Sequence, residues 1–364
     1  MVVLTFGTLS MIFGNRILGA WNNLALYWSI LSVFIASVVL LSTSDETDPE
    51  FVFATFQNET GWNDGIAWIL GLLQSALSLI GYDAVLHMTE EMPTPSRDAP
   101  LAMVYAVGVG GTTGTIFILV MLFCLTDLPS IVATHTGLPI VELISQSTGN
   151  RAGTTFLTLM LAICFIHGTN GSITSASRLL FALARDKGVS YHSYFSHIHP
   201  RWEVPVRTIV LTWVFNAIFG LLYLGPTVAF NAFVSSCTIL LNLDILKQFQ
   251  DCQVNDTPWR FGKVQGLIIN YIAVLYAFIT SIFFCFPPVL PVTASLMNYV
   301  SGVIGIFAIF LVGYWVLYGK NTFQGPELDI ILGERFDLSE VTDELAMEEK
   351  NIASQKEDVD GKGR

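Results

Sequence analysis

A chain of 364 residues with 52% apolar and only 13% charged side chains and a mean hydropathy of +0.59 carries about half the charge of an average soluble domain. Its net charge of −12 comes mostly from one end, since 12 of the 29 acidic and five of the 17 basic residues lie from Asn321 onward. These figures exclude an ordinary cytosolic enzyme and a secreted disulfide scaffold, and also a nucleic-acid binder, which needs clustered Lys and Arg to displace counterions from phosphate.

A bilayer core about 30 Å thick needs about 20 apolar residues per helix, and the chain offers nine apolar runs: 1–13, 24–42, 64–86, 101–125, 153–177, 206–224, 227–245, 264–286 and 297–318. The first is short for a span, and no basic residue precedes it, so a cleaved signal peptide is not expected. The seventh ends against Asp244 and Lys247, charges that are costly at membrane depth. Pro93, Pro95 and Pro100 stand before the fourth run, Pro205 before the sixth, Gly225 and Pro226 before the seventh, and Pro287 and Pro288 after the eighth. Such residues end helices and open loops. Cys124, Cys164, Cys237, Cys252 and Cys285 include no CxxC pair, so neither a metal site nor a disulfide framework is expected, and no cofactor. The division expected is a membrane domain over 1–320 and a polar, acidic tail over 321–364 that is disordered or weakly helical.

Lys and Arg stay preferentially on the cytoplasmic side of a membrane. Alternating the nine runs puts Arg16, Arg97, Arg178, Arg185, Lys187, Arg201, Arg207, Lys247, Arg260, Lys263, Lys320 and the tail on one side and Arg151 alone on the other. The Arg151 side is therefore expected outside and the carboxyl terminus in the cytosol. The sequon Asn58-Glu59-Thr60 falls on an outside loop, 44–62, with five acidic and no basic residues, which makes Asn58 a candidate for glycosylation.

Ionisable groups within spans are the natural place to look for function. The third run ends Ile80-Gly81-Tyr82-Asp83-Ala84, a glycine ahead of a carboxylate. A glycine weakens a helix by about 1 kcal/mol relative to alanine and permits a break that frees backbone groups for a solute; it equally permits close helix packing. His87, Glu90 and Glu91 follow Asp83 at helical spacing. They read either as a proton-relay or metal cluster or as cytoplasmic charges that pair with Arg97 and limit how the helix rocks. The fifth run carries a polar stripe, His167, Thr169, Asn170, Ser172, Thr174, Ser175 and Ser177, and ends in Arg178 and Arg185. Most of these residues suit contacts between helices, while Thr169 and Asn170 are the candidates for facing a cavity. Asn231 and Ser235 on the seventh run are similarly placed.

Several ordered motifs resemble one family. Gly81-Tyr82-Asp83 with Glu90-Glu91-Met92-Pro93 and Pro100 is similar to the sixth-helix signature of the amino acid-polyamine-organocation permeases, and Ser175-Ala176-Ser177-Arg178 through Arg185-Asp186 is similar to the end of their eighth helix. His199-Pro200 and Val204-Pro205 match the lead-in to the ninth. Trp21-Asn22-Asn23, Asn58-Glu59-Thr60-Gly61-Trp62, His87-Met88 and Phe286-Pro287-Pro288 resemble the fungal choline, GABA and amino acid permease branch.

The resemblance covers about 1–325. It implies an all-α polytopic membrane protein with an incomplete LeuT-type inverted-repeat fold, about nine membrane helices running from the end of the family's helix four to helix twelve. It further implies a secondary active, proton-coupled transporter of a small amine-bearing solute such as an amino acid, GABA or choline, in the plasma membrane. Ile80, Gly81, Tyr82, Asp83, Ala84, Thr169, Asn170, Asn231 and Ser235 would line the solute path, and His87, Glu90, Glu91, Arg97, Arg178 and Arg185 would form a cytoplasmic gate. Two departures stand beside it. Helices one to three of the family are not represented, and Leu241 to Cys252 breaks where the family's tenth helix continues. A non-transporting membrane fragment and, more remotely, a metal-dependent membrane enzyme on Asp83, His87 and Glu90 are the alternatives.

Overall fold

The computed structural model describes residues 1–222, 227–244, 263–294 and 296–323. The expected break after Asp244 and all but the first three residues of the expected tail lie outside them. In lipid, backbone donors and acceptors find no water, so the chain satisfies them within helices. Nine apolar helices result among the described residues: α1 (Val2–Phe13), α2 (Leu18–Thr43), α3 (Asp64–Ser78), α4 (Pro95–Phe123), α5 (Arg151–Arg185), α6 (Val206–Leu221), α7 (Thr227–Asp244), α8 (Lys263–Phe283) and α9 (Val300–Tyr314). Each corresponds to one of the nine apolar runs.

Six helical segments, Asn15–Thr43, Asp64–Thr89, Pro95–Phe123, Arg151–Arg185, Val264–Phe283 and Val300–Thr322, are long and apolar enough to cross a membrane. The apolar parts of α1, α6 and α7 are shorter. No strand occurs among the described residues. The starts of the helices are set locally. Asn63 caps α3 by accepting from the Ile66 N–H, Asn150 caps α5 by accepting from Gly153, and Pro95 opens α4, where its missing N–H costs nothing.

The distribution of side chains is that of a protein in hydrocarbon. Large apolar groups point outward, among them Tyr271 and Phe278 on α8, Ile309 on α9 and, 83% exposed, Leu317. Small polar groups are turned inward: Ser32, Asn170, Thr174, Ser177, Thr208, Ser236, Thr238 and Thr280 are all buried. With lipid as apolar as leucine, helices associate through close packing of small residues and internal hydrogen bonds. The molecule is an all-α polytopic membrane protein.

Most of the helix packing falls in two groups, which meet where Phe219 of α6 stacks on Phe233 of α7 with ring centroids 4.2 Å apart. In the first, α5 is central and packs against α1, α2 and α6, and α2 packs against α4. Its cores join Met11, Ile12, Ile173 and Ile209 on one side, and Ala36, Leu40, Val120 and Leu157 on the other. In the second, α7 packs against α3, α8 and α9, around Ala232, Ile239, Phe284 and Val300, with Leu72, Leu73 and Ala76 of α3 against them. Outside the helices the second group is tied by Leu290 N donating to Thr60 O (2.7 Å) and Trp62 Nε1 donating to Pro287 O (3.0 Å).

At Gly7, α1 comes close to α5. A Cβ built there would lie 2.8 Å from the Asn170 side-chain amide and 3.1 Å from Ile173 Cδ1, so a larger residue must push those side chains aside. Gly7→Leu is therefore expected to destabilise the fold by about 1–3 kcal/mol through overpacking. Gly19→Leu, at a position where a Cβ meets nothing within 4 Å, is the matched control. Thermal unfolding of the two variants in detergent checks this, and equal midpoints would show that α1 is not seated on α5.

Candidate substrate site

The span that begins with α3 does not continue as one helix. After Ser78 the chain turns through Leu79 and Ile80 to Gly81, which adopts φ 89° and ψ 1° in the left-handed region. It then resumes as a 3₁₀ segment, Tyr82–Glu91. A residue with a Cβ pays about 1–2 kcal/mol for that conformation, so glycine is what allows the break. Nothing lies within 4 Å of where a Cβ on Gly81 would sit, which makes its requirement for glycine one of backbone and not of space. Ala84 N donates back to Gly81 O at 3.2 Å, and this closes the first turn after the break.

The two halves of the broken span belong to different groups of helices. α3 packs against α7 and α8, whereas the 3₁₀ segment packs against α4 and α5. Gly81 is therefore the joint between them. On the far half, Asp83 and His87 lie one above the other with Oδ2 and Nε2 4.0 Å apart, each about a quarter exposed. That is beyond hydrogen-bond length, and it leaves the carboxylate free to take another partner. Ser175 of α5 reaches the segment, its hydroxyl donating to Ala84 O at 3.5 Å. Tyr82, Asp83, Ala84 and His87 are half-buried and Gly81 is exposed, so the break is accessible.

The other expected site residues are not gathered there. Asn170 is 2% exposed and serves as a contact between helices. With its amide set to match its neighbours, it donates to Gly7 O (3.2 Å) and accepts from Trp21 Nε1 (3.2 Å), with Ser10 Oγ at 3.1 Å. This corrects the expectation that Asn170 faces a cavity. The Asn170 amide lies where a Cβ on Gly7 would collide with it. Thr169 returns its hydroxyl to Phe165 O of its own helix. Asn231 is exposed and Ser235 half-buried on α7, in the other helix group. Ser175, by contrast, touches the break and was only one of a stripe of polar residues in the sequence; its distance of five residues from Asn170 did not distinguish it.

Of the expected gate, Arg97 is exposed in the first turn of α4 and Arg178 is buried on α5. Arg185 pairs with the adjacent Asp186 at 3.4 Å. The side chains of Glu90 and Glu91 lie outside the described residues. No three His, Cys, Asp or Glu side chains among the described residues come together as metal ligands. The sequon asparagine is engaged in a turn: Asn58 Nδ2 donates to Trp62 O (2.8 Å) and Asp64 Oδ1 (2.9 Å), and its Oδ1 accepts from Thr60 N and Oγ1. A glycan on that nitrogen would displace one of the two donated bonds. A cavity of about 660 Å³ between α6, α7 and α9, lined by residues such as Phe219, Ala232, Phe233, Val303 and Phe307, includes none of the expected site residues and is too apolar for a charged solute.

The amino acid permease family model matches residues 1–309. The chain belongs to the amino acid permease family. A Macrophomina phaseolina protein named as an amino acid/polyamine transporter is 36% identical over 304 residues, which are 80% of this chain and 67% of that protein. The choline transporter of Saccharomyces cerevisiae is 33% identical over 314 residues, 84% of this chain and 56% of the relative. The polyamine transporter TPO5 of the same yeast is 26% identical over 343 residues, 91% of this chain and 55% of the relative. The permease chain thus spans between 55% and 67% of the length of these relatives. A glycine break with a carboxylate two residues on, inside a permease span, is the geometry in which freed backbone groups and one charge can hold a solute.

Proposed function

We propose that this chain forms the helical core of a secondary transporter for small amine-bearing solutes, of the class of amino acids, GABA and choline, and that it works by alternating access about Gly81. The observation that carries the reading is the partition of the broken span: α3 packs against α7 and α8, and the 3₁₀ segment against α4 and α5. Rocking one group against the other then opens the break to either side in turn, as expected of a LeuT-type arrangement. Asp83 supplies the negative charge for the amine, and the backbone at Gly81 to Ala84 supplies donors and acceptors for the rest of the solute. Tyr82 is the aromatic that covers it. Thr169, Asn231 and Ser235 belong to the path leading to that point, and Glu90, Glu91 and Arg97 with Arg178 and Arg185 to its cytoplasmic closure. Protons supply the driving force.

The relatives named as amino acid/polyamine and choline transporters support an amine as the solute. The one-sided distribution of Lys and Arg supports a carboxyl terminus in the cytosol. The test is accumulation of radiolabelled choline, GABA and a mixture of amino acids by cells that express this chain and lack their own carriers. Uptake of at least one above the empty-vector level is expected; background uptake of all three would overturn the reading.

A further inference from the structure

We infer that His167 of α5 is a proton-binding site, which takes a proton on Nδ1 and holds the resulting charge against the ring of Trp21. His167 is the histidine deepest in a membrane-spanning helix, 16 residues after Arg151 and 18 before Arg185. Its Nδ1 is buried and has no hydrogen-bond partner among the described residues. A histidine kept for packing alone has its ring nitrogens matched by neighbours, as buried polar atoms generally are. In the neutral ring with hydrogen on Nε2, Nδ1 carries a free lone pair, and that lone pair is the base.

What faces it is an aromatic ring and not a carboxylate. The Trp21 and His167 ring centroids are 4.7 Å apart with the planes at 51°, inside the range of about 6 Å at which an indole face attracts a cation. α1 and α2 contain no Asp, Glu, Lys or Arg, and Tyr27 is the titratable side chain of α2. On the other elements packed against α5, Arg207 of α6 donates to Tyr194 O and lies over that ring, and Glu142 of the short helix Pro139–Thr148 accepts from Thr134 and Gln146. Asp83 and His87 of the 3₁₀ segment face each other, and His192 lies in the short helix His192–Phe195. On α5 itself, Cys164 donates to Met160 O, Arg151 and Arg185 stand at the two ends, and Arg178 is 11 residues further along. None of these supplies His167 with a hydrogen bond or an ion pair.

Protonation transfers H⁺ from a hydronium ion to Nδ1: an O–H bond breaks, an N–H bond forms, and a neutral ring becomes a cation. Return to water reverses it. The charge is expensive in hydrocarbon and is lowered in energy by the Trp21 face. Trp21 is also bonded through Nε1 to Asn170, which joins α1 to α5. A proton at His167 therefore tightens the seam where α1, α2 and α5 meet, and this same α5 touches the break through Ser175. By that route, occupancy by a proton biases the group of helices that carries Asp83. This consequence for transport rests on the proposed function, whereas proton binding does not.

The experiment titrates the tryptophan fluorescence of the purified full chain in detergent, between about pH 4.5 and about pH 8, the window in which a histidine changes charge. A protonated ring in contact with an indole quenches it. The full chain is expected to lose emission in one step as pH falls, and both His167→Gln and Trp21→Phe are expected to lack that step. Persistence of the step in His167→Gln, or no step in the unaltered chain, overturns the inference. Trp21→Phe guards against a misfolded glutamine variant, because it leaves the histidine and an aromatic ring in place and removes the reporting indole. In cells, the ratio of uptake at about pH 5 to that at about pH 7.5 is expected to fall from several-fold to about one in His167→Gln. An unchanged ratio overturns the coupling. If the unaltered chain shows the fluorescence step but no uptake at any pH, the transport reading fails and the proton site stands.

Discussion

Replacing Gly81 with valine is expected to abolish most solute uptake while the protein stays folded and in the membrane. The residue has φ 89°, and a side chain there meets open space, so the substitution cannot act by collision. It acts on the backbone. A residue with a Cβ is penalised by about 1–2 kcal/mol in the left-handed region, and a β-branched one by more. The span relieves that strain by straightening toward a continuous helix, which removes the joint between the two helix groups and withdraws the freed backbone groups at Gly81 to Ala84. A shift of that size changes the population of the broken form roughly 5- to 30-fold. Asparagine enters the left-handed region more readily than other residues with a Cβ, so Gly81→Asn is expected to retain more uptake than Gly81→Val. Measured uptake in the order glycine, asparagine, valine, at equal surface expression, supports the joint. Equal activity of all three would show that the break carries no function.

The second large effect is expected at Asp83. Its carboxylate is half-buried, 4.0 Å from His87 Nε2, and two residues past the break, so it is the negative charge available to an amine there. Asp83→Asn keeps the shape and removes the charge. Choline is a permanent cation with no N–H to donate, so the attraction lost is Coulombic, about 1–4 kcal/mol for charges about 4 Å apart near a protein surface, and its half-saturating concentration is expected to rise about 5-fold or more. The maximal rate is expected to change less, because the variant loses attraction for the solute and leaves the joint intact. Concentration dependence of choline uptake by the two forms decides it. If the half-saturating concentration does not change, the amine is held elsewhere.

The nine helices among the described residues were legible because lipid imposes length and apolarity on each span, and each run in the sequence holds one of them, the third continuing past its helix as the 3₁₀ segment. The break at Gly81 showed itself as a glycine set next to a carboxylate where a span should be uninterrupted. The inward faces were not legible. Between Arg151 and Arg178 α5 mixes apolar and small polar residues on all sides, so its periodicity does not say which of Thr169, Asn170 and Ser175 turns toward which neighbour. Asn170 was claimed by Gly7, a glycine 163 positions earlier in the chain, and nothing local to residue 170 announces that. Ser175 likewise gained its place only because the 3₁₀ segment packs on α5. Assignment of polar residues within a span depends on helices distant in sequence, whereas the existence of the span does not.

The account stands on a span that is interrupted at Gly81 and open to solute just beyond it. The most direct measurement is labelling of Ala84→Cys, in a chain whose five native cysteines are replaced by serine or alanine, with a charged, membrane-impermeant thiol reagent. Labelling from the aqueous phase that is slowed by added choline, GABA or amino acids is the predicted result. A cysteine at 84 that stays unlabelled, with and without these solutes, while one placed at Glu59 in the 44–62 loop is modified, would mean an intact helix facing lipid and would contradict the account.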